Sequence, residues 1–271
     1  MSAVTHGTDL DDRPSVAAIA DALERARLTV TPIAQSSVSA PLGLATAYAV
    51  QHDLTGRRVA SGDRIAGLKL GFTSRAKARQ MGVDDVILGS VTDRMRIEDG
   101  GGFDPRTCIH PRIEPEIAYL LGADIDTDRV PDPAAIAAVA PALEIIDSRY
   151  RDFRFDLGDV IADNTSAAAY AIGPWVRPAE AGSFDNRAVR LEFDGRIVQT
   201  GSTSAILGDP GRALAAAARL ARVHGFELRA GMILLAGAAT VAVPVPRAGV
   251  VEATVAGLGR VSISIDGEGD E

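Results

Sequence analysis

Residues 109–121 read IHPRIEPEIAYLL, an apolar run that contains two glutamates, Glu114 and Glu116. Side chains alternate between the two faces of an extended chain, so residues i and i+2 point the same way. In a strand, both carboxylates would share one face, and Ile113 and Ile117 would share the other. Glutamates in this pattern usually mark the solvated face of a half-buried strand. The long apolar flanks favour an interior strand instead, so both interpretations stand at this point.

A third carboxylate lies in another apolar run. The stretch PALEIIDSRY at residues 141–150 places Glu144 between Leu143 and Ile145. A buried carboxylate needs a cation or hydrogen-bond donors around it. Three carboxylates in one pocket would suit a hard divalent ion such as Mg²⁺ or Mn²⁺. Sequence spacing alone leaves open whether the three side chains converge.

The composition is that of an ordinary globular protein. The 271 residues are 46% hydrophobic and 24% charged, with a formal net charge of -8 and no basic run, which argues against nucleic acid as the main partner. The single cysteine, Cys108, excludes an internal disulfide and favours a reducing compartment. Neither a signal-peptide core nor an apolar stretch of about 20 residues is present. We therefore expect a cytoplasmic protein that does not span a membrane.

Hydrophobic periodicity separates a helical beginning from a β-rich remainder. We expect a disordered tail at residues 1–13, an N-terminal helical segment at 14–62 and a β-rich catalytic domain at 63–271. A strong hairpin signal surrounds Asp194-Gly195. The patterns predict helices at residues 15–28 (with Ser15 as N-cap), 42–54, 133–140 and 209–224 (with Gly225 just past its end), and a polar connection at 56–64.

Lysine is scarce in this chain. Only Lys69 and Lys77 occur among 28 basic residues, so arginine is used wherever a positive charge is merely needed. Lys69 lies in the apolar stretch GLKLGF, where it is either an exposed residue of an alternating strand or a partly buried ammonium. A partly buried ammonium has a tunable pKa and would hold a carboxylate or enolate oxygen.

The order of several long motifs is distinctive. GLKLGFTSRAKARQMGV, IHPRIEPEIA, PALEIIDSRYRDFRFDLGDVIADNTS and ILGDP follow one another along the chain. Over roughly residues 64–265 they resemble the hydratase/decarboxylase family of the catechol meta-cleavage pathway, within the fumarylacetoacetate hydrolase-like superfamily. The resemblance implies an α+β fold, a mixed β-sandwich roll of the fumarylacetoacetate hydrolase C-terminal type after an N-terminal helical segment. It also implies a Mg²⁺ or Mn²⁺ site at Glu114, Glu116 and Glu144.

The resemblance further implies the remaining site residues. It assigns catalytic roles to Lys69, Arg112 and Ser166, and substrate contacts to Thr73, Ser74, Ile87, Asp163, Asn164 and Thr240. The residues themselves leave alternatives open. Arg112 would be a charge partner of the glutamates or a strand-edge arginine. The ADNTS stretch would line the substrate or form a tight turn, and Thr240 would be a donor or an ordinary strand threonine. We interpret Cys108, His110 and His224 as structural.

Two departures from the hydratase pattern, the first at Ile87, favour one of the reactions of this family. The hydratases carry an aspartate at the corresponding place, in a P-D-F-G segment, whereas this chain reads VILG. The stretch IDSRYRDFRFDL also resembles the decarboxylases. We therefore expect metal-dependent decarboxylation of 2-oxo-3-hexenedioate (4-oxalocrotonate) or a related 2-oxo diacid. The alternatives are 2-hydroxypenta-2,4-dienoate hydratase, an acylpyruvate-type C–C hydrolase, and a non-catalytic paralogue that binds a partner hydratase. Association with a hydratase or with a second copy of the chain is expected as well.

Overall fold

The larger of two β-sheets carries the E-x-E stretch of Glu114 and Glu116. The computed structural model describes residues 14–35, 41–74 and 85–267. Within these residues the larger sheet has eight strands: β1 (Ile65–Gly71), β2 (Ile87–Thr92), β3 (Arg96–Ile97), β5 (Arg112–Leu121), β6 (Ile136–Ile146), β7 (Ala167–Ile172), β10 (Ile233–Ala238) and β11 (Val243–Pro244). Their order is β2-β1-β10-β5-β6-β7-β3, and β11 pairs with β5. The strand pairs β1/β10 and β3/β7 are parallel, and the other pairs are antiparallel.

The smaller sheet packs against one part of the larger one. Its strands are β4 (Gly102–Phe103), β8 (Ala188–Phe193), β9 (Arg196–Ser202), β12 (Gly249–Val255) and β13 (Gly259–Ile265), in the order β4-β13-β12-β8-β9. Residues of β12 and β13 alternate between buried and accessible, as expected of a sheet with one wet face. Ile113 and Leu143 of the larger sheet meet Val251 and Ile263 of the smaller one in a shared apolar cluster.

Helices cover the rest of the face on which the smaller sheet packs. They are α1 (Val16–Leu28), α2 (Leu44–Ala60), α3 (Leu157–Ala162), α4 (Pro178–Ala181) and α5 (Ala213–His224). Leu23 of α1 and Val50 of α2 belong to the same apolar cluster as Leu68 and Leu88 of the sheet. The N-terminal helices are thus buried against the β-rich region. The boundary predicted between residues 62 and 63 stays a prediction, and the predicted tail at 1–13 lies outside the described residues.

Several local predictions are confirmed. Ser15 is the N-cap of α1, and its hydroxyl accepts a hydrogen bond from the backbone N–H of Ala18 at 3.2 Å. Asp194 and Gly195 form the turn between β8 and β9 with φ of 47° and 75°, the left-handed conformation that a tight hairpin requires. The helix predicted at 209–224 begins with a 3₁₀ turn at Pro210–Arg212, continues as α5 and ends at Gly225 in the left-handed region.

Two predictions about helix extent are wrong. The polar connection expected at 56–64 is helical up to Ala60, where Arg57 pairs with Asp53 one turn earlier in α2 and with Asp21 of α1. The helix expected at 133–140 is a 3₁₀ turn at Pro133–Ala135 followed by β6. Its alanines have high helix propensity, but β6 pairs with β5 and β7 on both sides, and that pairing outweighs the local preference.

Among the residues described, no helix is both long enough and apolar enough to cross a bilayer.

Candidate active site and metal centre

Three buried glutamates meet on one face of the larger sheet. Glu114 of β5 and Glu144 of β6 are direct cross-strand neighbours, and Glu116 follows two residues later on the same face. Carboxylate oxygens from the three side chains lie within 4.8 Å of one another. The residues are only 6%, 0% and 1% exposed for Glu114, Glu116 and Glu144. The E-x-E stretch is therefore an interior strand, and the three carboxylates converge as the sequence left open.

Lys69 joins this cluster from β1. Its Nζ lies 2.6 Å from Glu144 Oε1 and donates a hydrogen bond to the Thr165 carbonyl oxygen at 3.1 Å. In the sheet order, β1 and β6 are separated by β10 and β5. Three strand spacings amount to about 14 Å in a flat sheet, which a lysine side chain does not cover. The larger sheet must therefore curl around this face, and the curl brings the lysine to the glutamates.

Negative charge exceeds positive charge in this cluster. Burial raises the pKa of Glu116 well above its usual range, and the nearby carboxylates of Glu144 and Glu114 raise it further. Burial also raises the pKa of Glu144, although Lys69 opposes the shift. Glu116 Oε2 accepts a hydrogen bond from the Gly237 N–H at 3.0 Å. Within the described residues, neither Glu116 Oε1 nor Glu144 Oε2 receives a hydrogen bond from an N–H or hydroxyl group.

These residues fit a hard divalent cation. The donor set consists of carboxylate oxygens only, which is the ligand type that Mg²⁺, Mn²⁺ and Ca²⁺ prefer. Two buried oxygens remain without donors, and a cation would satisfy both while reversing the unfavourable pKa shifts. Lys69 by itself compensates one of three negative charges.

Two glycines allow the walls of the site to approach closely. Gly237 has a φ of 112°, and a Cβ at this position would lie 2.1 Å from Thr73 Oγ1. Thr73 therefore packs directly beside the amide that holds Glu116. A Cβ on Gly89 would lie 2.1 Å from Thr165 Oγ1, so the loop at residues 163–166 rests on β2 next to Lys69.

Ile87 lies on the same wall. It is the cross-strand partner of Gly71 on β1, two residues beyond the pair formed by Lys69 and Gly89. Because alternate residues share a face, Ile87 points to the side of the sheet that carries Lys69. A Cβ on Gly71 would meet the Ile87 side chain at 2.8 Å. The isoleucine is buried, belongs to the apolar cluster that also contains Leu88, and adds no polar group to this part of the wall.

The loop at residues 163–166 is held in an unusual backbone conformation. Asn164, Thr165 and Ser166 all have positive φ, at 49°, 52° and 58°. Such angles are uncommon outside glycine and rare for a β-branched residue such as Thr165. Conformations of this kind persist only where surrounding contacts fix them, and they are frequent at functional sites.

The loop's first two side chains supply those contacts. The Asp163 carboxylate forms a buried ion pair with the Arg149 guanidinium and accepts the Arg149 backbone N–H at 3.0 Å. Asn164 exchanges two hydrogen bonds of 2.8 Å with the backbone of Ser90. Both side chains are thus engaged with the protein. The hydroxyl oxygen of Ser166 is buried and, within the described residues, has no hydrogen-bond partner.

The remaining predicted site residues lie nearer the surface. The Arg112 guanidinium stacks over the Phe153 ring at 4.5 Å from its centre. Thr240 is half-buried, and its hydroxyl donates to the Val241 carbonyl oxygen at 3.3 Å. Ser74 is half-buried at the end of a described segment, and the 75–84 part of its motif lies outside the described residues.

Comparison with known proteins agrees with this architecture. Residues 91–265 match the model of the fumarylacetoacetate (FAA) hydrolase C-terminal family. This chain is a member of the FAA hydrolase family. It is 46% identical to a 4-oxalocrotonate decarboxylase of Pseudomonas sp. over 93% of this chain and 99% of that protein. It is 36% identical to a 2-keto-4-pentenoate hydratase of Burkholderia vietnamiensis over 93% of this chain and 98% of that protein.

A solved structure shows the same fold over nearly the whole chain. The 4-oxalocrotonate decarboxylase from Pseudomonas putida G7, complexed with magnesium and adipate, superposes with a TM-score of 0.86 at 36% identity. The match covers 92% of this chain and 97% of that one. The same enzyme complexed with calcium and acetate gives a TM-score of 0.84. The expected fold class, an α+β roll of the FAA hydrolase type, is confirmed.

Sequence reasoning missed three residues that shape this FAA hydrolase site. Gly237 supplies an amide to Glu116, Thr165 supplies a carbonyl to Lys69, and Arg149 anchors the strained loop. The glycine in LLAGAAT was the one available signal, because an isolated glycine in a strand often marks close backbone approach. Arg149 has no such signal, since Arg151 and Arg154 nearby look alike in sequence and are not buried.

Proposed function

We propose that this protein decarboxylates 4-oxalocrotonate (2-oxo-3-hexenedioate) to 2-hydroxypenta-2,4-dienoate in the presence of Mg²⁺ or Mn²⁺. The observation that carries the proposal is a single buried lysine in contact with a cluster of three converging glutamates. The 46% identity to a decarboxylase of this specificity supports the choice of reaction.

Glu114, Glu116 and Glu144 would hold the cation through their carboxylate oxygens. When bound, a divalent cation supplies Lewis acidity, which polarises a 2-oxo acid and stabilises negative charge on its oxygen. The related structure that holds magnesium also holds adipate, a six-carbon diacid of the same chain length as the proposed substrate.

Lys69 would act on the same end of the substrate. In 2-oxo-3-hexenedioate, the bond between C5 and the C6 carboxylate breaks, and C6 leaves as CO₂. The electron pair forms a C4=C5 double bond, moves the existing double bond to C2=C3, and leaves negative charge on the 2-oxo oxygen. A buried ammonium aimed at that oxygen stabilises the charge as it develops and donates a proton to it.

The apolar wall would favour loss of CO₂ over addition of water. Hydration of the dienoate requires a group that activates water or delivers a proton at the far carbon. Ile87, which lies on the same sheet face as Lys69, offers no such group. A carboxylate beside an apolar surface is poorly solvated, which favours its departure as neutral CO₂.

The other site residues divide by their surroundings. Ser166 would donate its hydroxyl to the substrate, and Thr73, beside Gly237, would contact the same ligand. Asp163 and Asn164 would act by positioning the loop, because their side chains are engaged with Arg149 and Ser90. Substrate contacts of Ser74 and Thr240 and a catalytic role for Arg112 stay predictions.

A partner hydratase or a second copy of the chain would associate with this enzyme, and the small 2-oxo diacid would be its ligand. The related hydratases support the first association. Their name gives 2-keto-4-pentenoate as the substrate, which is a tautomer of the product proposed for this enzyme. The cytoplasmic location stays a prediction from the single cysteine.

One assay separates the candidate reactions. Purified protein with Mg²⁺ is given 2-oxo-3-hexenedioate, 2-hydroxypenta-2,4-dienoate and an acylpyruvate in separate reactions, and CO₂, hydrated product and pyruvate are measured. We expect CO₂ from the first substrate and little conversion of the other two. Efficient hydration of the dienoate without CO₂ release would replace the decarboxylase with the hydratase, and pyruvate formation would replace it with the hydrolase.

A further inference from the structure

A cavity of about 490 Å³ lies away from the glutamates, between the helices α1 and α2 and the strands β3, β4 and β7. Its lining includes none of Lys69, Glu114, Glu116 and Glu144. Its lining combines two kinds of surface. One is rich in arginine, including Arg27, Arg58 and Arg149, and the other is formed by Met95, Ile97, Phe103 and the alanines that begin β7.

The charges that line this cavity are paired, with one exception. Arg27 binds Glu24 through two hydrogen bonds of 2.9 and 2.6 Å. Arg149 pairs with Asp163, and Arg94 lies 3.2 Å from Asp63. The Asp147 carboxylate accepts the backbone N–H groups of residues 109 and 110. Arg57 is paired with two aspartates, Asp53 and Asp21.

Arg58 is the exception. Across the described part of the chain, its guanidinium has neither a hydrogen bond nor an ion pair, although it is only half-accessible. Burial, together with repulsion from Arg27 and Arg149, lowers its pKa to about 10, so the group still carries its charge at neutral pH. An unpaired, partly desolvated cation is unfavourable unless an anion meets it.

We propose that this cavity is a second ligand site, which binds a small organic acid with its carboxylate on Arg58 and its hydrocarbon part against Met95, Ile97 and Phe103. The planar guanidinium fork matches the two oxygens of a carboxylate. The apolar residues of the lining favour a hydrocarbon chain, which inorganic phosphate and chloride lack.

The proposed second site is separated from the metal centre by the loop at residues 163–166. A smaller adjoining pocket is lined by Arg58, Arg149 and Asn164. The next residue, Thr165, meets Lys69 with its carbonyl oxygen. In the loop at 163–166, Asn164 therefore lies toward the cavity and Thr165 toward the metal centre. A ligand on Arg58 would contact Arg149, which anchors the loop, and would not contact the substrate.

Calorimetric titration of the Mg²⁺-loaded protein with hexanoate tests the proposal. We expect binding at least tenfold weaker in Arg58→Gln than in the wild type, the scale of losing a charged hydrogen-bond partner. The matched control Arg196→Gln changes an exposed arginine of β9 and should bind as the wild type does. Lys69→Met should also retain this binding, because Lys69 does not line the cavity. Binding that survives Arg58→Gln, or that disappears in Lys69→Met, overturns the second site.

Two further titrations test the class of ligand and control for misfolding of the variant. Inorganic phosphate should bind more weakly than hexanoate, and equal affinity for phosphate would overturn the assignment to an organic acid. Arg58→Lys retains the charge without the fork, so it should fold as the wild type does and bind hexanoate more weakly. Wild-type hexanoate affinity in Arg58→Lys would likewise contradict carboxylate recognition by the guanidinium. Absence of hexanoate binding to the wild type refutes the site, whatever the outcome of the decarboxylase assay.

Discussion

Both sheets place two glutamates directly opposite each other on adjacent strands, with different results. In the smaller sheet, Glu192 of β8 faces Glu252 of β12. Their side chains are 14% and 27% exposed, and Arg260 lies 3.3 Å from Glu252. In the larger sheet, Glu114 faces Glu144 in the same register, but both are buried.

The difference between these pairs is one of solvent and not of sequence. On a wet face, water and exposed arginines such as Arg190 and Arg260 screen two like charges, so the repulsion is small. In the interior, the same arrangement leaves carboxylates that the protein itself does not neutralise. A like-charge pair becomes a candidate cation site when both of its carboxylates are buried.

The largest loss of activity should come from neutralising one glutamate of the buried pair. Glu144→Gln is expected to abolish turnover and to weaken Mg²⁺ affinity by well over tenfold, because a hard cation depends on each charged oxygen. Glu252→Gln is the matched control and should change neither. Metal affinity is measured by calorimetry, and EDTA should reproduce the loss in the wild type. Full activity of metal-stripped protein would contradict the metal site.

The second effect is on stability and compares a buried ion pair, Arg149–Asp163, with an exposed one, Arg260–Glu252. Arg149→Met leaves Asp163 buried without its cation and should lower the free energy of unfolding by about 3–5 kcal/mol. Arg260→Met removes the exposed partner of Glu252 and should cost less than about 1 kcal/mol. Urea unfolding measures both. Equal costs for the two variants would mean that burial does not distinguish the pairs.

The third effect tests the cation that contacts the buried cluster. Lys69→Met should reduce kcat by roughly 10²–10³, or about 2.7–4 kcal/mol, as for the loss of one preorganised donor. Lys69→Arg should not restore the rate, because a planar guanidinium does not replace a compact ammonium. Arg190→Met on the smaller sheet is the control. Wild-type turnover in Lys69→Met would assign the lysine to structure alone.

The smallest effect on the rate should come from adding a carboxylate to the sheet face that carries Lys69. Ile87→Asp should slow CO₂ release by roughly tenfold, about 1.4 kcal/mol, through repulsion of the substrate's departing carboxylate. Ile87→Leu keeps the wall apolar and should retain most of the rate. Initial rates on 2-oxo-3-hexenedioate compare the two variants. If both slow the reaction equally, the wall acts by shape and not by polarity.

Local signals in the sequence were sufficient where a short stretch determines its own structure. The N-cap at Ser15, the turn at Asp194-Gly195 and the end of α5 at Gly225 all depend on residues adjacent in the chain. Strand β6 was misread because it is buried on both faces and therefore lacks the polar alternation of an ordinary strand. In the smaller sheet, where one face is wet, the alternation is visible.

The site was predictable in its residue types and less so in its contacts. Two glutamates spaced i and i+2 in an apolar run, together with family resemblance, pointed to the three carboxylates. That Glu144 stands opposite Glu114 depends on strand register, which sequence spacing does not give. The ADNTS turn was recognisable, but its anchoring to Arg149 and Ser90 depends on tertiary contacts.

The place of β10 in the larger sheet has a consequence for folding. This strand, late in the chain, lies between β1 and β5, and its Gly237 reaches back 121 residues to Glu116. Until it inserts, β1 has no neighbour on that side and Lys69 is not held beside the glutamates. Contacts so distant in sequence form slowly, so we expect the acidic strand β5 to be synthesised before Lys69 is held beside its glutamates. Uptake of Mg²⁺ during refolding would then mark the closing of the sheet and not its beginning.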